Sequence, residues 1–419
     1  MVKFAHIADA HIGGWRDPKL SSLSLDAFNR ALDVCLQENI DFVIIAGDLF
    51  NTALPGIEYM NSVARRLSDF RRRNIPVYAI PGSHDFSPSG KTFLSTLEEA
   101  GLVKLLNKAE VKNNKLVLKP FVDERHNVVL FGMPGRRSSL EKSYYEMLDN
   151  SAFDGFDDFF KIFVFHSAVL ELSSNPAYSS TAIPLSYLPD GFDYYAAGHV
   201  HSVIEKTLSN KLVVYPGPVF PNNFAELESL KHGGFYLVSF DEHDKSKKLS
   251  LSYVPIVVKN VYSISLNADA LTPQDVFAAV KSKISDNEFY DTIVLLRVFG
   301  RLRSGRVSDI DFNSLVKLLY ERGAYFVLKN TYALTTKETE LVKASSSSVE
   351  EIEKHTVKDN LSSITFIPDT SKVFYELMSL LSKEPADGET KSRFELRLSS
   401  EFNQLLSSMK ISEESNRKI

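Results

Sequence analysis

The chain has a single cysteine, Cys35, in 419 residues. No disulfide framework can hold it, and a reducing compartment is expected. No apolar run approaches the ~20 residues that span a bilayer, so no membrane role is expected. No Gly-x4-Gly-Lys-Ser/Thr stretch is present, which sets ATP hydrolysis aside, and no internal repeat points to a solenoid. Positive charge is not in excess either. The net charge of −5 excludes a globally basic nucleic-acid binder while leaving room for local basic patches. The chain enters a strand pattern at Val2 without a signal-peptide leader. What is left is an ordinary apolar (44%) and charged (24%) content in a chain long enough for two or three domains. A soluble, cytoplasmic protein is expected.

One device recurs in the first half: an apolar strand, a glycine or turn, then a polar side chain. Residues 2–8 run into Asp9-Ala10-His11, and 42–46 into Gly47-Asp48. Residues 76–80 run into Pro81-Gly82-Ser83-His84-Asp85, 162–165 into His166, and 194–197 into Gly198-His199-Val200-His201. Between the early strands, residues 25–39 and 57–73 carry apolar residues at helical spacing. Such alternation predicts parallel strands covered by helices, a layered α/β core. Ligands of open α/β sheets gather outside the carboxyl ends of the strands. A lone histidine is usually a hydrogen-bonded core residue, and His6 and His126 are read that way. Five of the ten histidines at strand ends, with Asp9 and Asp48, are not explained by that reading.

Carboxylates and imidazoles together suit borderline divalent ions such as Mn²⁺, Fe²⁺, Zn²⁺ or Co²⁺, and no thiolate site is available. The donors are too many for one open ion and suit two, spaced to clamp a phosphate. His84 could then act as a general acid, with Asp85 as its orienter.

In order and spacing, Asp9-Ala10-His11, Gly47-Asp48, Gly82-Ser83-His84-Asp85, His166 and Gly198-His199-Val200-His201 resemble the five motifs of the calcineurin-like metallophosphoesterases. The Gly47-Asp48-Leu49-Phe50 form and the total length resemble the DNA double-strand-break repair nucleases of that superfamily, the Mre-eleven and SbcD type. The resemblance implies an α-β-β-α sandwich over residues 1–255 and two divalent ions, Mn²⁺ foremost. Asp9, His11, Asp48 and His201 would hold one ion. Asp48, Ser83, His166 and His199 would hold the other, with Asp48 bridging and His84 catalytic. Ser83 stands where the family usually has Asn. Its hydroxyl is one bond from Cβ, against two for an amide oxygen, so a weaker second site is expected. The implied activity is 3′-to-5′ double-strand exonuclease and single-strand endonuclease, in a homodimer, in a nucleoid-associated, prokaryotic and foremost archaeal setting.

Residues 256–340 read as a smaller α/β module, resembling the DNA-capping domain of these nucleases. Its strands fall at 256–266, 292–299 and 325–332, its helices at 272–284 and 310–322, with Thr272-Pro273 as a helix start. Arg297, Arg301 and Arg303, with Arg136 and Arg137 from the first domain, are candidate DNA-phosphate contacts; a solvated strand end explains them equally. Residues 341–370 read as a polar linker. Residues 371–411 read as a helix-loop-helix with a stripe of Phe374, Leu377, Leu381, Phe394, Leu398, Phe402 and Leu405. Two such helices must dock on something, either the same chain or, as the resemblance implies, the coiled-coil ABC-type ATPase partner (Rad-fifty or SbcC type). Two other functions stay open: a phosphodiesterase for nucleotides or small phosphoesters, and a DNA-tethering scaffold with a weakened site.

Overall fold

The apolar runs become strands that are buried on both faces. Every residue of β2 (Phe42–Ala46) and of β3 (Val77–Ile80) is buried, as parallel strands covered on both sides require. A computed structural model describes residues 1–87, 90–135, 142–172, 181–241, 243, 248–336, 376–377, 379–386 and 389–408. In the first sheet β1 (Val2–Ile7), β2, β3 and β4 (Lys104–Leu105) run parallel. Along the other edge of β1, β13 (Gly233–Phe240) and β14 (Leu249–Ile256) add antiparallel. The second sheet has β8 (Val128–Met133), β9 (Phe160–His166), β10 (Tyr194–Gly198) and β12 (Lys211–Tyr215) in parallel. It is edged by antiparallel β7 (Phe121–Asp123) and β11 (Ile204–Leu208). A hairpin of β5 (Ala109–Lys112) and β6 (Lys115–Leu118) stands apart.

Strand alternation decides the layers. Phe4, Phe42, Ile44, Tyr78 and Ile80 of the first sheet share one core with Leu130, Ile162, Val164, Tyr194 and Ala196 of the second. The residues between them face the other way. Val43, Ile45 and Ala79 pack with Phe28, Leu32 and Cys35 of α1 (Pro18–Gln37) and with Val63, Leu67 and Phe70 of α2 (Ile57–Arg72). Leu94 and Leu97 of α3 (Leu94–Glu99) join them. On the outer face of the second sheet, Phe131, Phe163 and Phe165 meet Phe153, Phe192 and Tyr145, the last on α4 (Lys142–Glu146). The sequence of layers is helix, sheet, sheet and an outer cover, the mixed α/β sandwich expected from the alternation. The helix α5 (Phe224–Leu230) precedes β13.

Further on are β15 (Asn260–Asn267), α6 (Pro273–Ser285), β16 (Thr292–Arg301), α7 (Phe312–Glu321), β17 (Phe326–Asn330) and β18 (Leu334–Thr335). Thr272 Oγ1 accepts from the Asp275 backbone N–H while the Asp275 carboxylate accepts from that of Thr272, a capping box at the Thr-Pro start. The chain clusters into two compact units: residues 1–266, 278–298 and 311–331 in one, and 267–277, 299–310 and the described residues beyond 331 in the other. In the first, Ile293 and Leu295 join the core of α1 and α2. In the second, Arg397 of α8 (Lys391–Ser408) forms a two-pronged pair with Glu389, and Lys383 pairs with Glu401. Among the described residues no helix is long and apolar enough to cross a membrane.

A buried polar pair crosses the inter-sheet core. His6 Nδ1 on β1 lies 2.9 Å from the Tyr194 hydroxyl on β10, and both residues are fully buried. Burial pushes His6 down to about 3. An unfolded chain protonates this imidazole near pH 6.5, whereas the folded one resists until about pH 3, so its contribution to stability is lost as pH falls through that window. His6→Leu is expected to flatten that part of the acid limb, measured as urea midpoints between pH 7 and pH 4. An unchanged slope would show that His6 is not held neutral.

Candidate metal centre

Four of the polar residues at the strand ends are held in a rare backbone conformation. Asp9 (φ 50°), His11 (φ 41°), Asp48 (φ 50°) and His199 (φ 87°) all adopt positive φ, which costs a non-glycine residue on the order of 1–3 kcal/mol. Hydrogen bonds between neighbouring loops hold them there. The Asp9 backbone N–H donates to the Gly47 carbonyl at 3.1 Å, that of His11 to the Asp48 carbonyl at 2.9 Å, and that of Ile12 to the Leu49 carbonyl at 3.0 Å. The His199 N–H donates to both Asp9 carboxylate oxygens, at 3.0 and 3.1 Å. Glycine is required beside them: a Cβ on Gly198 would lie 2.0 Å from the Ala46 carbonyl oxygen.

These loops bring the strand-end residues together. Ligand atoms of Asp9, His11 and His201 all lie within 4.8 Å of one another, as do those of Asp48, His166 and His199, and those of His11, Asp48 and His84. Asp48 joins the groups: its Oδ2 is 3.1 Å from His166 Nε2 and 3.7 Å from His11 Nε2. The Ser83 hydroxyl donates to the same oxygen at 3.4 Å.

Divalent cations fit this set. His11 Nε2 and His201 Nε2 face each other at 3.1 Å, with an Asp9 oxygen 3.8 Å from His201 Nε2, and the other His11 nitrogen is buried with no hydrogen-bond partner among the described residues. Histidine charges act on both Asp9 and Asp48, and Asp9 is acted on by the Asp48 charge as well. Imidazole nitrogens crowded against one another beside buried carboxylates are a donor set that a cation suits. Burial pushes Asp9 up. For Asp48 burial is outweighed by the charge and hydrogen bond of His166, which hold its carboxyl well below the usual range. In return Asp48 overcomes burial to raise His166 to about 10. Burial drives His11 and His199 down to about 3, so both offer neutral nitrogens.

His84 and Asp85 part company. His84 is exposed, its ring 4.8 Å from that of His11, and its Nδ1 is 2.9 Å from the Asn51 carbonyl oxygen. The orienter expected at Asp85 is therefore this carbonyl. Asp85 is buried and turns the other way, accepting from the backbone N–H groups of Gly82 (2.9 Å), Phe50 (3.1 Å) and Leu49 (3.3 Å). It clasps two loops together, and burial and then the Asp48 charge raise it to about 7.

The outlying candidates are placed as follows. The guanidinium of Arg297 is engaged by both carboxylate oxygens of Glu228, at 2.8 and 2.6 Å. Arg301 and Arg303 are exposed, while Arg136 and Arg137 lie outside the described residues. Of the C-terminal stripe, Leu377, Phe394 and Leu398 are half-buried and Leu381 and Phe402 exposed; Phe374 and the Leu405 side chain lie outside the described residues. Sequence reasoning missed Glu226, whose Oε1 is 2.8 Å from His201 Nδ1. Asn223-x-x-Glu226 signals a helix start, and nothing in that signal says the carboxylate meets a histidine.

The strand-end cluster lies on a two-sheet sandwich, and residues 2–203 match the family model of the calcineurin-like phosphoesterases. Three curated relatives are each named DNA double-strand break repair protein Mre11. That of Archaeoglobus fulgidus is 27% identical over 64% of this chain, and that of Saccharolobus solfataricus 28% identical over 66% of this chain and 70% of its own length. That of Sulfolobus acidocaldarius is 24% identical over 90% of this chain and 95% of its own length. The match spans 62% of the length of the Archaeoglobus fulgidus protein. A solved structure of a dimetal phosphatase from Danio rerio aligns at a TM-score of 0.39 and 12% identity, over 61% of this chain and 98% of its own.

In the metal-free protein His166, raised to about 10, and His201, raised to about 8, carry protons at neutral pH. A ligand nitrogen must give up its proton. Binding of a divalent cation through these two nitrogens is therefore expected to release about two protons and to tighten as pH rises toward 8. Calorimetric titration in buffers of different ionisation enthalpy checks this, and an enthalpy independent of buffer would refute it.

Proposed function

We propose that this chain is a two-metal phosphodiesterase that processes DNA ends, as a 3′-to-5′ double-strand exonuclease and single-strand endonuclease. The observation that carries the reading is the pair of donor groups joined by Asp48. Asp9, His11, Asp48 and His201 would hold one ion, and Asp48, Ser83, His166 and His199 the other. Two bound divalent ions supply charge neutralisation for a phosphoryl group and an acidified water for attack. The protein's own part is to hold that geometry and to manage the leaving oxygen.

His84 is placed for the second task. A carbonyl can only accept, so the proton on His84 Nδ1 is fixed by Asn51, and Nε2 is left to give or take a proton. Its backbone N–H donates to Asp48 Oδ1 at 2.8 Å, tying the general acid to the bridging carboxylate. Asp85 supports this by locking residues 49–50 to Gly82. DNA as substrate is favoured by the names of the Mre11 relatives. The homodimer, the ABC-type ATPase partner and its docking on residues 371–411 follow from the same likeness.

His84→Ala is expected to lower Mn²⁺-dependent cleavage of end-labelled duplex DNA by ~10²–10⁴-fold while Mn²⁺ binding is retained. Good hydrolysis of small phosphodiesters without DNA cleavage would overturn the substrate, and DNA binding without any cleavage would overturn the enzyme. Ser83→Asn should tighten the weaker Mn²⁺ site and raise the nuclease rate. If affinity and rate both stay put, the serine is not what limits that site.

A further inference from the structure

The short helix α5 touches a candidate metal ligand on one face and an arginine on the other. Glu226, in its first turn, places Oε1 2.8 Å from His201 Nδ1 and accepts the Asn222 backbone N–H on Oε2 at 2.7 Å. The Asn223 side chain caps the helix by accepting from the Glu226 N–H at 3.0 Å. Two residues on, and so roughly on the opposite face, Glu228 receives Arg297 through two parallel hydrogen bonds of 2.8 and 2.6 Å. The same guanidinium lies 5.0 Å from the Phe224 ring centroid, and Leu227 between the two glutamates is fully buried. A seven-residue helix is too short to hold itself, so its position is set by these contacts.

His201 is treated differently from its neighbours. His166 Nδ1 and His84 Nδ1 lie against backbone carbonyls of Ala46 and Asn51; His201 Nδ1 lies against a carboxylate. An ionised carboxylate accepts only, so the proton of a neutral His201 stays on Nδ1, and the Nε2 lone pair faces Asp9 and His11. Such a partner fixes the ring and makes the nitrogen a stronger ligand.

We propose that Glu226 is the positioning residue of the Asp9–His11–His201 centre and that Arg297, through Glu228, holds the helix that carries it. Arg297 then acts on metal binding and is not a DNA-phosphate contact. The proposal rests on the metal-dependent reading above.

The test is Mn²⁺ titration of the full chain, by calorimetry and by the paramagnetic resonance of free Mn²⁺. Glu226→Ala should weaken one of the two ions by ~10–100-fold. Glu226→Gln, whose carbonyl still accepts from Nδ1, should recover part of that loss, which a merely structural role would not produce. Arg297→Met should weaken the same ion by less, with metal-free DNA binding unchanged. Wild-type binding of both ions by Glu226→Ala overturns the proposal. Weaker metal-free DNA binding with intact Mn²⁺ affinity in Arg297→Met overturns the role of Arg297. If the wild-type chain itself binds no Mn²⁺, the metal-dependent reading falls, and the proposal with it.

Discussion

Two buried carboxylates whose counter-charge comes from imidazoles are the constraint on which the rest of the structure depends. Asp9 and Asp48 sit at the ends of adjacent parallel strands, essentially without solvent. Desolvating a charge costs several kcal/mol even after relaxation, and four residues of the cluster also carry positive φ. Together these costs are comparable with the ~5–15 kcal/mol by which a domain is stable at all. A single hairpin or helix could not sustain them. Two six-stranded sheets locked face to face can, because the strand ends are fixed by cores on both sides of each sheet.

The same constraint explains what was legible in the sequence. The cluster of candidate donors could be read because parallel strands announce themselves as apolar runs, and their ends are where side chains converge. Asp9, His11, Asp48, His166, His199 and His201 are all strand-end residues, so the same periodicity that located the strands located them. What could not be read is which neighbour each polar group chooses. Asp85 follows His84 directly, yet its carboxylate prefers three backbone N–H groups that would otherwise be unsatisfied in a buried loop. His84 takes a carbonyl from residue 51, far away in the chain. Glu226 lies in the first turn of a helix that Asn223 caps, and its carboxylate turns to a histidine 25 residues back in the chain. Arg297 looked like a free cation at a strand end, but its partner lies 69 residues away. Pairings across such separations leave no periodic trace.

Elements of the second half were legible to within a few residues for a local reason. Thr272-Pro273 fixes a helix start through its own side chains, and the strand at 292–301 is buried over Thr292–Leu296. Its burial breaks at Arg297, where the side chain turns to Glu228. The residue that interrupts the buried run, with Val298 buried again beyond it, thus marks where that strand meets α5.

Ser83 brings the two constraints together. A serine hydroxyl is short, and at a usual strand-end distance it would fall short of anything an asparagine could reach. Gly82 changes that distance: a Cβ there would lie 2.2 Å from Asp48 Oδ1 and 2.4 Å from the Asp48 backbone nitrogen, so only glycine lets the two loops approach so closely. Asp85 draws them together from the other side, accepting from Gly82 and from residues 49 and 50 at once. The Ser83 hydroxyl consequently reaches the Asp48 oxygen that also faces His166. The buried clasp of Asp85 sets how near this loop comes to Asp48, and even so the short hydroxyl only just spans the 3.4 Å to that carboxylate, a gap that a longer amide side chain at 83 would close.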